Sequence, residues 1–323
     1  MSRDVLELLR AAGGYISGEK MAERLGVTRA AVWKKIAALR DAGYDISSAP
    51  RSGYVLRSSP DRLIETEITR GLATRLIGQK VICYDAVNST NLVLKDLARA
   101  GAEDGTVVVA DSQGTGRGRM ERAFFSPPGK GIWVSILLRP TFLPQDAPKC
   151  TLMAAVAVAR AMEKFGLRAA IKWPNDIMYD GRKLVGILTE MSAEMDRVNY
   201  VVIGIGINVN IAPEDFPEEL RTIATSLMQM KGEPLPRVAF LQELLRALDE
   251  LYASVQQDGF APVLAAWREY AVTLGQEVRV IGPAGEEFEG TAADIDAEGA
   301  LLVDTAEGRR RVLAGDVSIR PRA

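Results

Sequence analysis

Apolar residues recur at helical spacing over residues 3–12 and stop at Gly13-Gly14, which predicts a helix closed by a glycine cap. Ser17 stands before a second such segment, 19–25, which ends at Gly26. Thr28 stands before a third, running to about residue 40. In that third segment Val32, Ile36 and Leu39 make one apolar stripe, while Arg29, Trp33, Lys34 and Lys35 point elsewhere. Two short helices joined by a tight glycine-containing turn form a helix-turn-helix pattern. Residues 44–48 and 53–57 then read as a hairpin around Pro50-Arg-Ser-Gly53, placed as a wing. A helical bundle used for protein contact has similar turns, but the basic third helix and wing favour DNA. On that reading Arg29, Lys34, Lys35 and Arg51 neutralise phosphates, with Thr28 at the helix start. Trp33 is partly buried or packs on the sugar–phosphate edge.

From about 60 to 272 strand and helix patterns interleave. Strands are predicted at 81–84, 106–110, 132–138, 170–173, 184–191 and 198–209. Helices are predicted at 90–100, at an alanine-rich 151–165 closed by Gly166, and at 238–255 and 260–271. The chain then changes character, with short β-runs at 277–281, 287–295, 300–303 and 309–314 between glycine-containing turns. The predicted architecture is α+β: a winged helix-turn-helix over 1–58, a mixed α/β domain over 60–272, and a small SH3-like β-barrel over 273–323.

Composition narrows the chemistry. The chain has 323 residues, 47% hydrophobic and 25% charged, which are ordinary globular values. No apolar run approaches the roughly 20 residues of a membrane span, and the start lacks a signal-peptide core, so a cytoplasmic protein without membrane contact is expected. Cys83 and Cys150 lie far apart with no C-x-x-C, which suggests buried free thiols in a reducing cytosol. Histidine is absent. Ser-His-Asp and Cys-His catalysis and imidazole metal sites are thereby excluded, leaving proton transfer and metal binding to Asp, Glu, Lys or Tyr. The net charge of −2 divides into +4 over residues 1–58 and −6 over the rest, a basic segment suited to its own partner.

The strongest chemical signal is the run 113–122, Gln-Gly-Thr-Gly-Arg-Gly-Arg-Met-Glu-Arg, lying between two predicted strands. Glycine lets backbone approach a ligand, and arginine supplies a planar cation suited to phosphate or carboxylate. The run reads as a loop that gathers around an anion, although a solvated linker or a nonspecific RNA-binding tail can share its composition. Neither G-x-x-x-x-G-K-[ST] nor a strand-to-helix G-x-G-x-x-G occurs. A second cluster is Lys172-Trp-Pro-Asn-Asp176, where Pro174 stops a strand and places Asn175 and Asp176 at its end. Asp176 is either a Mg²⁺ or acid–base carboxylate or an Asx-turn residue. Lys183 is either functional or an exposed edge charge. Gly186, and the glycines of Gly204-Ile-Gly-Ile-Asn208, suggest close approach of a ligand, with Asn208 able to read an adenine edge. Asn88-Ser-Thr-Asn91 offers hydroxyls and amides at a helix start, where capping is also expected.

These motifs together, Ser89-Thr-Asn91, Gly116-Arg-Gly-Arg119, Lys172-Trp-Pro-Asn-Asp176, Lys183 with Gly186, and Gly204-x-Gly-x-Asn208, resemble the signature set of biotin–protein ligases. The amino-terminal segment resembles that of the bifunctional, BirA-type members that also repress biotin-synthesis genes. The resemblance covers essentially the whole chain. It implies formation of biotinoyl-5′-adenylate from biotin and MgATP, then transfer to a lysine of a biotin carboxyl carrier protein. It also implies a homodimer on adenylate binding and operator DNA as a partner. By the same analogy Ser89, Thr90, Asn91, Gln113 and Arg117 hold the biotin head beside Gly186, with Gly118 and Arg119 closing over it. Lys183 neutralises the biotin carboxylate and α-phosphate, and Asp176 serves the incoming lysine. Arg122, Lys172, Asn175 and Asn208 meet the nucleotide, whose Mg²⁺ travels with ATP. Glu121 and Phe124 stand where the repressor-type loop has Gly and Trp, which leaves the strength of ligand-driven dimerisation open. A lipoate ligase or a non-catalytic ligand-sensing transcription factor are the alternatives.

Overall fold

The computed structural model describes residues 3–116, 118, 123–282, 286–314 and 318–321. It divides into two compact units, 1–62 and 63–323. In the first, helices α1 (Arg3–Ala12), α2 (Gly18–Leu25) and α3 (Arg29–Asp41) enclose Val5, Leu9, Met21, Val32 and Ile36. Both expected caps form: Ser17 Oγ accepts from Lys20 N at 3.1 Å and Thr28 Oγ1 from Ala31 N at 3.2 Å. Gly26 takes φ 62°, which a side chain would resist. Strands β1 (Asp45–Ala49) and β2 (Gly53–Ser58) pair antiparallel as the wing, with Arg51 exposed at its tip.

Two expectations change here. Trp33 is 59% exposed rather than partly buried, beside exposed Arg29 and Lys34. Lys35 is half-buried on another side of α3, with its Nζ 3.8 Å from Asp4 Oδ2. The reason is helical rotation: one residue beyond Lys34 turns the side chain towards α1.

The second unit begins with a short α4 (Glu65–Ile68), which no periodicity announced, then β3 (Val81–Val87), α5 (Thr90–Arg99), β4 (Val107–Gln113) and β5 (Gly131–Leu138). Next come α6 (Lys149–Lys164), β6 (Ala170–Lys172), β7 (Asp176–Tyr179), β8 (Arg182–Ala193) and β9 (Val198–Asn208). The strands form one sheet in the order β3-β4-β5-β9-β8-β7-β6, parallel only between β3 and β4. Strand β7 lies outside the predicted strands. Pro174 does break the ladder, but the turn folds back into a hairpin with β6. The short α7 (Leu227–Lys231) precedes α8 (Arg237–Asp258) and α9 (Ala261–Tyr270).

Period-two alternation assigns the two sheet faces. Ile132, Val134, Ile136 and Leu138 of β5 join Ile203, Ile205 and Ile207 of β9 under α6 and α8. On the other face Val108, Leu137 and Val202 lie under Leu94 and Ala98 of α5. The carboxy-terminal strands β10 (Glu277–Ile281), β11 (Glu287–Ile295), β12 (Leu301–Thr305), β13 (Gly308–Val312) and β14 (Ser318–Pro321) form an antiparallel sheet ordered β13-β12-β11-β10-β14. These five strands make up the expected small carboxy-terminal β-domain, and β14 is an addition to the four predicted runs. The sheet grips the Lys172–Asp176 turn. Trp173, 2% exposed, donates from Nε1 to Gly299 O at 3.1 Å, and its N–H donates to Thr273 Oγ1 at 2.9 Å.

Candidate active site

Near the amino-terminal end of α5 three glycines lie close together on the sheet. Gly206 of β9 pairs with Gly186 of β8 on one side and Trp133 of β5 on the other. One row along, Gly204 pairs with Leu188 and Ser135. Directly opposed residues share a face, so Gly186, Gly204 and Gly206 floor a hollow on the face that also carries Ser135. The empty space above this floor, open solvent included, is about 440 Å³.

Of the expected site residues, Ser89, Thr90, Asn91, Gln113, Gly118, Asn175, Lys183 and Gly186 line this hollow. Lys172, Asp176 and Asn208 do not line it, although Asp176 pairs across the sheet with Gly186. Arg117, Arg119, Glu121 and Arg122 lie outside the described residues. The loop that carries them is closed at its base, where Phe124 N donates to Gly116 O at 2.8 Å.

Part of the glycine pattern has an internal cause. A methyl at Gly186 or Gly206 would come within 2.8 Å of the Phe124 ring, and one at Gly204 would overlap Asn91 Oδ1. The protein's own side chains make the close approach expected of a ligand. Phe124 lies edge-on to Trp133, ring centroids 5.9 Å apart, and 5.8 Å from Lys183 Nζ.

Lys183 is neither a lone edge charge nor free. Its Nζ lies 2.7 Å from Asp176 Oδ1, both side chains about a third exposed or less. At that distance the two form a close ion pair. Asp176 is therefore an ion-pair partner rather than an Asx-turn residue. Asn175 is buried and clasps β8: its Nδ2 donates to Ile187 O and its own carbonyl accepts from Ile187 N, both at 3.0 Å. Asn208 is also buried, with Nδ2 donating one of its two protons to Thr225 O at 3.0 Å, which leaves its oxygen and its second N–H to read a base. Lys172 is half-buried on β6.

Capping of α5 differs from expectation. Neither Ser89 nor Asn91 caps it. Instead Gln113 Oε1, arriving from the end of β4, accepts from Thr90 N at 2.9 Å. Its Nε2 donates to Ser126 Oγ at 3.1 Å, and Ser126 Oγ donates to Phe124 O at 2.9 Å. Behind Thr90 lies a polar chain that sequence reasoning missed. Ser135 Oγ is 2.7 Å from Thr90 Oγ1 and 2.6 Å from Asn91 Oδ1, Asn91 Nδ2 donates to Glu190 Oε2 at 2.8 Å, and Lys95 Nζ is 2.7 Å from Glu190 Oε1. Ser135 was the legible clue, a serine in an otherwise apolar, fully buried strand. Among the described residues no group of three or more acidic or cysteine side chains could hold a metal.

Three family models match the chain: an HTH domain over residues 2–55, the biotin/lipoate A/B protein ligase family over 83–208, and a biotin protein ligase C terminal domain over 273–320. Over 321 residues it is 45% identical to the bifunctional ligase/repressor BirA of Bacillus subtilis (strain 168), covering 99% of this chain and 98% of that one. The protein of the same name from Escherichia coli (strain K12) is 33% identical over 314 residues, 97% and 95% of the two chains. The biotin protein ligase from Aquifex aeolicus in complex with biotin and ATP has a similar structure, with TM-score 0.67 at 29% identity, covering 76% of this chain and 100% of that one.

Proposed function

The chain belongs to the biotin–protein ligase family, and from that premise we propose that it makes biotinoyl-5′-AMP and transfers biotin to a lysine of a carrier protein, while its amino-terminal unit represses transcription. One observation carries the catalytic half: a glycine-floored hollow lined by Thr90, Gln113 and Lys183, the last paired with Asp176. Thr90, Gln113, Ser89, Asn91 and Arg117 hold the biotin head, with Gly118 and Arg119 closing over it. The biotin carboxylate then lies towards Lys183.

In the first step that carboxylate attacks the α-phosphorus of ATP, and pyrophosphate leaves with the broken P–O bond. Two anions meet, and a fixed cation offsets their repulsion. Lys183 exchanges Asp176 for the incoming carboxylate, which releases Asp176 for the second step. There Asp176 takes a proton from the carrier lysine, whose amine attacks the acyl carbonyl as AMP leaves. Arg122, Lys172, Asn175 and Asn208 serve the nucleotide. Magnesium enters with the ATP phosphates. Among the described residues no group of three or more acidic or cysteine side chains could hold an ion without the phosphates.

The repressor half is a homodimer on operator DNA, formed when adenylate is bound, with Arg29, Trp33, Lys34 and Arg51 towards the duplex. No described helix is long and apolar enough to cross a membrane, and the cytoplasm is the compartment proposed. Incubation with biotin, ATP and Mg²⁺, followed by mass spectrometry, should find retained biotinoyl-AMP. Lys183→Ala should abolish biotin-dependent ATP–pyrophosphate exchange, whereas Asp176→Asn should keep exchange and slow transfer. Exchange with lipoate instead of biotin would make the chain a lipoate ligase, and ligand binding without exchange would make it a sensor. An inverted-repeat operator that is not retarded with biotin and ATP present would refute the repressor half alone.

A further inference from the structure

Proton counting along the buried chain behind Thr90 has a definite polarity. Asn91 faces the Glu190 carboxylate at 2.8 Å and the Leu188 carbonyl at 3.3 Å. Neither has a proton to give, so the amide must turn its NH₂ end towards them and its Oδ1 towards Ser135. Ser135 Oγ, 2.6 Å from that oxygen, must donate its single proton there. The 2.7 Å contact between Ser135 and Thr90 then needs the Thr90 proton. Among the described residues the other inward acceptor for that proton is Gln113 Oε1, at 3.2 Å. Either way the Thr90 hydroxyl proton is used inside the protein and Oγ1 turns lone pairs to the hollow.

We propose that Glu190, anchored by Lys95, is a positioning residue that orients this chain so that the hollow presents an acceptor to a ligand N–H, selecting for a cyclic urea head. The inference rests on the biotin reading of the same hollow and names what sets its selectivity. Glu190 never needs to touch the ligand. Its charge matters because a carboxylate accepts at both oxygens, one from Lys95 and one from Asn91. In Glu190→Gln the Lys95 ammonium would claim the amide oxygen, leaving the NH₂ end against Asn91. Asn91 would have to turn over, Ser135 would accept from it and donate to Thr90, and the Thr90 proton would be pushed outward. The ligand N–H would then meet a donor.

Lys95 supplies the discriminating control. In the double variant E190Q/K95M nothing holds the amide oxygen away from Asn91, so the original polarity can return. The test is calorimetric titration of the full chain with biotin and with both cyclic carbamate analogues, in which one ureido N–H is replaced by oxygen. Wild type should bind at least one analogue tenfold or more weakly than biotin. E190Q should bind biotin about tenfold more weakly, with the KM for ATP in pyrophosphate exchange within twofold of wild type. E190Q/K95M should recover biotin affinity to within threefold. Unchanged biotin affinity in E190Q, equal losses for biotin and ATP, or a double variant no better than the single would each overturn the proposal. Should E190Q not fold, wild-type affinities decide: equal binding of biotin and both carbamates overturns it. Wild type that binds no biotin removes the ligase reading too, whereas normal wild-type binding with an indifferent E190Q removes only this inference.

Discussion

Gly204→Ala tests how the floor of the site is built. The added methyl would overlap Asn91 Oδ1. A flexible side-chain end could usually move aside cheaply, but Asn91 is 4% exposed and held by Ser135, Glu190 and the Leu188 carbonyl. Swinging it away breaks two neutral hydrogen bonds, about 1 kcal/mol each, and one to a carboxylate, about 1.5–3 kcal/mol, for a total of roughly 3.5–5 kcal/mol. Shifting strand β9 instead is an overpacking cost of about 1–3 kcal/mol. The cheaper route wins, so the expected loss is about 1–3 kcal/mol, with biotin affinity falling because the shifted strand carries Gly204 and Gly206 of the hollow. Urea unfolding followed by tryptophan fluorescence suits the measurement. Trp133, Trp173 and Trp267 are buried in the 63–323 unit, whereas Trp33 in the other unit is exposed. A variant with an unchanged midpoint and unchanged biotin affinity would refute the reasoning.

Three further expectations follow from single contacts. Trp173→Phe puts a smaller ring in the same buried place and removes the donor to Gly299 O, leaving a buried carbonyl unpaired, which by itself should cost about 1–3 kcal/mol in thermal unfolding. Burial, and secondarily the Glu65 charge, push the Cys83 thiol up to about 12 from 9.0. The unfolded chain therefore loses this proton first, and Cys83 favours the native state fully below pH 9, an advantage that fades between pH 9 and 12. The native thiol should also react with a disulfide reagent at pH 8 roughly a thousandfold more slowly than free cysteine, in proportion to its thiolate. A fast native reaction would contradict that placement. Lys34→Ala should reduce the salt slope of DNA binding by about 1, and Lys35→Ala by less, since Lys35 lies against Asp4. Equal slopes for both variants would show that α3 meets DNA by a different face.

Local signals made much of this protein legible in its sequence. Apolar periodicity and caps at Ser17, Gly26 and Thr28 mark α2 and α3, because capping depends only on neighbours a few residues away. Alternating apolar runs mark the long strands of the sheet, and the loop and strand-end motifs mark which residues gather. Strand β7 escaped because four residues after a proline carry too little pattern, and α4 and α7 are a single turn each.

What only the tertiary structure decided is who partners whom across the chain. Gln113 rather than Ser89 caps α5, Asp176 neutralises Lys183, Phe124 and Asn91 occupy the space above the strand glycines, and Glu190 fixes Asn91 from 99 residues away. Sequence pattern records which face a residue turns to its own strand or helix. Which polar group waits on the opposite side is set by sheet order and register, and those are settled only when the whole unit packs.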